Sequence, residues 1–266
     1  MRFEEFLSSH PVFTTEELSR LRGRNRSRWT LKALLAHHRK QAHILLVRRG
    51  LYAAVPPGAS PDTWVPDPYL ITAKLTDDAV LAYHTALEVH GKAHSVFERF
   101  FFLTKTNVRP VTFRSLKFEG VRHPRALLSR HKESLGVKTV DRAGVAVRVT
   151  SLERTLVDIL HRPNLGGGWE EIWRSLESIE FFDVDKVIEY ALLLKNATTV
   201  AKVGYFLEQH RAALMVEDGD LKPLKKHCPK RPHYMERSHR GNGRLVADWN
   251  LVVPVSVAER SWEEAR

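Results

Sequence analysis

The chain has 266 residues, a single cysteine and a formal charge of +11 at pH 7. That length permits one large domain or two smaller ones, each with a buried core. One cysteine excludes an intramolecular disulfide and is typical of a reducing compartment. The apolar runs are too short to span a bilayer, and the acidic Glu4 and Glu5 are unlike a secretion signal. We therefore expect a soluble, cytoplasmic protein whose basic charge attracts nucleic acid rather than a membrane.

The positive charge is concentrated near the N-terminus. Residues 1–56 contain 11 Lys and Arg against 4 Asp and Glu, a net charge of +7, which leaves +4 for the other 210 residues. The stretch PPGASPDTWVPDP at 56–68 then has five prolines in thirteen residues, which prevents a helix or a central strand. We therefore predict a DNA-binding domain at 1–56, a linker at 57–67 and a second domain at 68–266.

The first twenty residues carry the pattern of two short helices. FEEFLSSH begins at Phe3 and has its apolar residues on one side of a helix. Thr14 precedes Glu17 by three residues, which is a capping box, so a second helix is expected to begin near Thr15. A glycine and an asparagine follow, and both tolerate the left-handed backbone of a turn.

A third helix and a hairpin follow that turn. From Ser27 to Gln41 apolar residues recur at i, i+3 and i+4, which predicts a helix with one face packed inward. The run ILLVRRGLYAAV then places two β-prone segments around Gly50, which can take the positive φ of a tight hairpin. Helix, helix, turn, helix and hairpin form the order of a winged helix-turn-helix. The inward leucines of the third helix are Leu31, Leu34 and Leu35.

The run RLRGRNRSR at 20–28 has an arginine at every second position. Because the run straddles the predicted turn, its side chains surround the start of the third helix, which enters the major groove in helix-turn-helix proteins. The outward face of that helix carries lysines between alanines, and the hairpin tip carries two arginines that can reach phosphate or the minor groove. The candidate DNA-binding residues are Arg22, Arg24, Arg26, Ser27, Arg28, Trp29, Lys32, Arg39, Lys40, Arg48 and Arg49.

The same charges have a second interpretation, in which they only solvate a surface helix or bind an acidic protein. Duplex DNA is the favoured partner because the charge, the turn and the hairpin agree. Which side chains contact bases and which contact phosphates is left open by the sequence.

Helical spacing and β-rich runs alternate in the region after residue 67. A capping box at Thr150 and Glu153 predicts the start of one helix. The basic stretch 222–244 is broken by prolines and glycines and predicts a loop. Strands followed by helices favour an α+β fold, in which a winged helix-turn-helix precedes a larger mixed α/β domain. The predicted helices lie within 68–91, 150–162, 168–180, 184–195 and 198–211, and the predicted strands within 96–106, 109–124, 145–150 and 248–256.

Two motifs invite comparison with catalytic sites. Asp183 and Asp185 have the spacing of a nucleotidyltransferase metal pair, and Gly167 and Gly168 lie upstream, where such enzymes bind phosphate. The apolar spacing after Asp183 indicates instead a helix that Asp183 caps. The segment GGGW lacks the lysine and hydroxyl residue of a P-loop and predicts a turn before a helix. We expect no catalytic residue, no cofactor and no enzymatic activity.

Four side chains in the predicted basic loop can supply zinc ligands: His227, Cys228, His233 and His239. A single thiol and irregular spacing favour solvated loop side chains and no bound metal. The loop itself has two interpretations, a second track for DNA or RNA phosphates or a solvated loop.

Five segments, in their order and spacing, resemble the AbiEi family of type IV antitoxins, which repress transcription in bacterial abortive-infection operons. The resemblance covers nearly the whole chain, from the winged helix to residue 255, and it depends on the ordered combination rather than on any one motif. The segments are RRGLYAAVP, AYHTALEVHG, TSLERTLVDILHRPNLGGGWEEIW, VGYFLEQH and WNLVVPVS.

The resemblance implies a winged helix that represses its own operon by binding inverted repeats in the promoter, and a C-terminal domain with antitoxin activity. It also implies a nucleotidyltransferase-like toxin as functional partner, countered without a stable direct complex. The sequence leaves two alternatives open: a winged-helix transcriptional regulator without a toxin partner, and a nuclease or nucleotidyltransferase that its winged helix targets to DNA. Within the second domain, Arg154 and Asp158 lie four residues apart on one polar side of a helix. They form either an ion pair that supports the helix or part of the antitoxin surface.

Overall fold

The computed structural model describes residues 3–21, 28–236, 243–260 and 262, with only the backbone of Arg28 and Trp29. The protein is mixed α+β, as the sequence predicts. The helices are α1 (Phe3–Ser9), α2 (Thr15–Leu21), α3 (Arg28–Lys40), α4 (Pro68–Ala73), α5 (His84–Val89), α6 (Arg125–Leu128), α7 (Leu152–His161), α8 (Trp169–Glu177), α9 (Val184–Leu193), α10 (Ala197–Gln209), α11 (Arg211–Leu214), α12 (Asp218–His227) and α13 (Val255–Ala258). The strands are β1 (Val12–Thr14), β2 (Ile44–Arg48), β3 (Leu51–Ala54), β4 (Val80–Leu81), β5 (Arg99–Thr104), β6 (Val111–Phe113), β7 (Leu116–Arg122), β8 (Val137–Arg142), β9 (Val145–Thr150), β10 (His233–Tyr234), β11 (Gly243–Val246) and β12 (Leu251–Pro254).

The chain forms two compact units, each assembled from separated segments. Unit 1 contains Met1–Leu81, Phe97–Arg122 and Lys138–Val149, and unit 2 contains the remaining residues. Across the part of the chain described here, no helix has the length and apolar character needed to cross a membrane.

The proline-rich segment 57–67 contains neither helix nor strand, as its prolines predict. Arg114 donates hydrogen bonds to the carbonyls of Pro61 and Trp64. Arg142 forms an ion pair with Asp67 at 2.5 Å. These contacts hold the segment inside unit 1, which continues beyond it, so the predicted domain division at 57–67 differs from the compact units and stays a prediction.

The described residues between 3 and 54 pack around a cluster of aromatic and aliphatic side chains. The element order matches the prediction, with the short strand β1 added; β1 and β2 pair antiparallel on either side of β3. The rings of Phe6 and Phe13 meet edge to face with centroids 4.9 Å apart, a favourable aromatic geometry. We call this group the phenylalanine cluster; its buried members are Phe3, Phe6, Phe13, Leu18, Leu35 and Ile44.

The predicted capping box at the start of α2 is confirmed. The Thr14 amide donates to Glu17 Oε2 at 2.8 Å, and the Glu17 amide donates to Thr14 Oγ1 at 3.2 Å. The next residue connects α2 to the hairpin, because both the amide and the hydroxyl of Thr15 donate to the Gly50 carbonyl, at 2.9 and 3.2 Å. Gly50 has φ +85°, the positive value that the hairpin prediction requires.

Unit 1 also contains a six-stranded sheet, in the order β6-β7-β5-β4-β9-β8. The predicted strands β5, β6, β7 and β9 are confirmed, whereas β4 and β8 were not predicted. β5 runs parallel to β7 over six residue pairs, and β4 is parallel to β9. Parallel neighbours require connections that local sequence patterns do not reveal.

The predicted helices of unit 2 are confirmed in α5, α7, α8, α9 and α10, whereas α6, α11 and α13 were not predicted. Two further predictions are corrected. The side chain that caps α7 belongs to Ser151, which accepts a hydrogen bond from the Arg154 amide, whereas Thr150 bonds the hydroxyl of Thr155 at 2.7 Å. The stretch 222–244, predicted as a loop, begins inside α12 and contributes β10 and β11. Pro223 stands within α12, past its first turn, where its missing N–H removes one backbone hydrogen bond of the helix.

Helix α10 packs closely against Trp249, and Gly204 makes this approach possible. Trp249 is completely buried. A Cβ on Gly204 would overlap the six-membered ring of Trp249. Gly219 in α12 gives a matched contrast, because a Cβ there would meet no atom within 4 Å.

We expect Gly204→Ala to destabilise the protein by about 1–3 kcal/mol, because overpacking against Trp249 outweighs the better helix propensity of alanine. Gly219→Ala should leave the stability unchanged or raise it by up to about 1 kcal/mol. Urea denaturation followed by circular dichroism measures both. Equal midpoints for the two variants would contradict the packing of α10 on Trp249.

Candidate nucleic-acid interface

Helix α3 has one buried and one exposed face, with the orientation that the leucine spacing predicts. Leu35 is buried in the phenylalanine cluster, and Leu31 and Leu34 pack against it. The opposite face is exposed and carries cations beside small side chains. Its described residues are Lys32, Ala33, Ala36, Arg39 and Lys40, and we call them the basic face of α3.

The end of α3 is fixed by its backbone. Ala42 has φ +57°, a left-handed conformation, and its amide donates to the Arg39 carbonyl at 3.0 Å. The His43 amide donates to the His38 carbonyl at 3.0 Å, which completes the bond pattern of a Schellman motif. Lys40 therefore lies in the last turn, where the helix dipole favours a positive charge.

The predicted residues before this face lie largely outside the described structure. Arg22, Arg24, Arg26 and Ser27 fall in the gap at 22–27, and the side chains of Arg28 and Trp29 are likewise outside the description. Their assignment to DNA binding stays a prediction.

The two arginines of the hairpin have different environments. Arg49 lies in the turn and is exposed. Arg48 is half-buried, and its Nη2 donates to the Leu75 carbonyl. The structure therefore places Arg49, and not the Arg48 guanidinium, at the exposed tip of the hairpin.

The base of α2 is held by an ion pair. Glu17, whose amide and carboxylate form the capping box, also accepts a hydrogen bond from Lys74. Burial acts to raise the pKa of Glu17, but the Lys74 ammonium and the Thr14 amide outweigh it and keep this pKa below its ordinary value. Glu17 is thus anionic at neutral pH and retains both bonds.

Arg154 and Asp158 were one possible part of an antitoxin surface, and the structure contradicts that placement. Their relative exposures are 1% and 0%. Arg154 Nε lies 3.3 Å from Asp158 Oδ2, and its Nη1 donates to the carbonyls of Glu133 and Leu135 at 2.8 and 2.6 Å. Both side chains are therefore internal, and the ion-pair interpretation is the one that the geometry supports.

Tyr190 completes this buried network by donating its hydroxyl to Asp158 Oδ1 at 2.7 Å. Burial raises the pKa of Tyr190 well above its usual range, and the Asp158 carboxylate adds to the shift. Burial would lower the pKa of Arg154, but the Asp158 carboxylate, through its charge and its hydrogen bond, opposes this effect, and the pKa is raised. The guanidinium is therefore charged and the phenol neutral, so each is a donor to Asp158.

The pair Asp183 and Asp185 takes the helical role that the sequence favours. Asp183 caps α9 by accepting a hydrogen bond from the Lys186 amide at 3.2 Å, and it also forms an ion pair with the Lys186 ammonium. Asp185 is exposed in the first turn of α9. Gly167 and Gly168 have φ +92° and +99° and form the predicted turn before α8.

Each candidate zinc ligand that the structure describes is hydrogen-bonded to a different residue. His227 Nδ1 bonds the Pro223 carbonyl at 2.8 Å, and Cys228 Sγ donates to the Lys225 carbonyl at 3.0 Å. His233 Nδ1 is hydrogen-bonded with Thr198 Oγ1, and His239 lies outside the described residues. Within the described ranges no three ligating side chains approach one another closely enough to hold a metal ion.

A polar cavity in unit 2, lined by His161 and Lys202 among others, was not identified from the sequence. Its residues come from four separated segments, so no local pattern joins them. The sequence feature that could have indicated the cavity is the pair Thr198 and Thr199 at the start of a helix, because side-chain hydroxyls there can bond residues from other segments.

We expect Arg154→Met to destabilise the protein by about 3–5 kcal/mol, because it leaves the buried Asp158 carboxylate without its cation. Tyr190→Phe, which removes one hydrogen bond to the same carboxylate, should cost about 1.5–3 kcal/mol. Lys186→Met is the control, since its ion pair with Asp183 is exposed and contributes little to stability, so its urea midpoint should stay close to that of the parent. A midpoint for Arg154→Met equal to that of Lys186→Met would contradict a structural role.

Comparison with known proteins gives a likeness of fold. No protein-family model matches the chain, and a search among curated proteins gives no match. The crystal structure of the RV2827C protein from Mycobacterium tuberculosis is similar, with a TM-score of 0.64 and 17% sequence identity. The match covers 100% of this chain and 94% of that chain. At this identity the likeness shows a common α+β fold.

Proposed function

We propose that residues 1–56 form a winged helix-turn-helix that binds double-stranded DNA. The observation that carries this proposal is the basic face of α3. Lys32, Arg39 and Lys40 lie exposed on the side of the helix opposite the phenylalanine cluster. Ala33 and Ala36 between them leave room for the helix to approach a groove closely.

The hairpin and the arginine run extend the proposed interface. Arg49 at the exposed hairpin tip is suited to phosphate or the minor groove. The arginines at 22–28 lead into α3 in the sequence, and the proposed binding mode has them flank the groove and contact phosphates. Neutralising phosphates releases counterions, so the proposed affinity depends steeply on salt.

For the cellular role we propose an autorepressing antitoxin of the AbiEi family. This rests on the resemblance of five ordered segments in the sequence. The winged helix would occupy inverted repeats in its own promoter, two molecules per repeat, because the symmetry of the site mirrors that of the bound pair. The remainder of the chain would counter a nucleotidyltransferase-like toxin without forming a stable complex, and the chain would have no enzymatic activity of its own.

The first test measures binding to a fluorescently labelled fragment of the upstream promoter by anisotropy. With six to ten phosphate contacts, the affinity of the parent protein should fall by about 10³ to 10⁵ between 50 and 200 mM salt. The double variant Lys32→Ala/Lys40→Ala should bind more weakly, and its logarithmic salt slope should be smaller by about 2, because two phosphate contacts are lost.

A charge-matched control is the double variant Lys117→Ala/Lys138→Ala, since both lysines are exposed in the six-stranded sheet of unit 1. It should keep the affinity and salt slope of the parent. An equal loss in both double variants would contradict a localised interface. No uptake of the fragment by the parent protein at low ionic strength would overturn DNA binding.

The second test separates repression from antitoxicity. We expect the gene beside this one to encode a nucleotidyltransferase-like protein that arrests growth, and co-expression of the parent chain to restore growth. Lys32→Ala/Lys40→Ala should lose repression of a promoter reporter and keep the growth rescue. Loss of rescue with repression intact would overturn the assignment of the two activities, and absence of a toxic neighbour would refute the antitoxin role.

A further inference from the structure

Unit 2 contains a cavity of about 800 Å³ that the proposed DNA interface does not use. It lies where α7 ends, where α8 and α10 begin, and beside β10. This volume is within the range of sites that bind small molecules and cofactors. The first turn of α10 forms part of its wall, and the partial positive charge of a helix is greatest there.

Two histidines line the cavity, and consecutive threonines of α10 orient them. His161 Nδ1 is hydrogen-bonded with Thr199 Oγ1 at 2.7 Å, and His233 Nδ1 with Thr198 Oγ1 at 2.7 Å. Each imidazole ring is thereby oriented through its Nδ1 atom, and its other ring nitrogen is Nε2. Two imidazoles held alike on one helix end make a preorganised pair of polar groups.

A lysine ammonium lines the same cavity. Lys202 is only 6% exposed, which is rare for lysine. Its Nζ donates to the Leu160 carbonyl at 3.1 Å and lies 5.2 Å from the centroid of the Trp169 ring. Burial lowers the pKa of His161; Asp158 opposes this, and the cations Arg162 and Lys202 add to it. His161 is therefore a neutral imidazole at neutral pH.

Aromatic side chains form another part of the wall. The Trp169 indole N–H donates to Glu236 Oε2 at 2.9 Å, which fixes the ring. Tyr234 lines the cavity and is 39% exposed. Aromatic faces stack on nucleobases, and a carboxylate such as Glu236 accepts hydrogen bonds from hydroxyl groups such as those of ribose.

We infer that this cavity is a nucleotide-binding site, in which Lys202 and His233 contact the phosphate and Trp169 and Tyr234 contact the base. The combination decides the ligand class: a cation and imidazole donors suit an anionic phosphate, and aromatic walls suit a planar base. An inorganic anion alone would leave the aromatic wall unused, and an apolar ligand would leave the ammonium and imidazoles unused. The inference is independent of the DNA-binding proposal.

Isothermal titration calorimetry on the full chain tests the inference, with AMP, GMP, CMP and UMP as nucleotide probes and adenosine and orthophosphate as their parts. At least one nucleotide should bind saturably and more tightly than adenosine or orthophosphate. His233→Ala changes an exposed residue and should weaken that binding about tenfold or more, because a hydrogen bond to a charged group is lost. Lys202→Met should weaken it at least as much.

Two control variants make the outcome specific. His227→Ala removes an exposed histidine outside the cavity and should leave nucleotide affinity unchanged. Lys32→Ala/Lys40→Ala should also leave it unchanged, whereas weaker nucleotide binding in that variant would assign the nucleotide to the basic face of α3 and overturn the inference. Absence of binding by all four nucleotides would overturn it, as would unchanged affinity in His233→Ala. Because His233 is exposed, these outcomes do not depend on whether Lys202→Met folds.

Discussion

The proposed DNA interface depends on one packing constraint, the burial of a single face of α3 against the phenylalanine cluster. Complete burial of a leucine, isoleucine or phenylalanine side chain contributes about 1.5–3 kcal/mol, and six such residues form the cluster. Any rotation of α3 that brought Lys32 or Lys40 inward would expose Leu35 and bury an unpaired charge. The hydrogen bonds from Thr15 to the Gly50 carbonyl connect the hairpin to α2. The phenylalanine cluster and these hydrogen bonds thus set the positions of α3 and the hairpin together.

Features of the fold that depend on neighbouring residues could be predicted, and features that depend on distant partners could not. The capping box of α2, the leucine face of α3 and the cap of α9 each need residues within one or two helical turns. The burial of Arg154 depends on Glu133 and on Tyr190, which lie far from it in the chain. A polar i, i+4 pair has the same spacing whether water or protein surrounds it, so the sequence could not distinguish a surface from a buried network.

The environments of the arginines show why residue type alone could not identify the DNA-binding side chains. Arg48 and Arg49 are adjacent, yet one bonds a backbone carbonyl and the other is exposed. Arg114 and Arg142 hold the proline-rich segment within unit 1. The planar guanidinium has five donors and can bond several carbonyls at once. Arginine therefore stabilises a fold as readily as it binds phosphate. A large positive charge therefore overstates the number of cations available to DNA.

The two proposed sites use positive charge in physically different ways. The basic face of α3 is exposed, so mobile ions compete with DNA there and attraction falls off over about 8 Å at physiological ionic strength. Lys202 is 6% exposed and contacts a carbonyl and an aromatic ring. Salt screens a buried ammonium much less, and its local dielectric constant is lower, so its attraction for a phosphate is less dependent on ionic strength. One site therefore suits a long polyanion whose affinity comes from counterion release, and the other suits a small anion held by a few fixed groups.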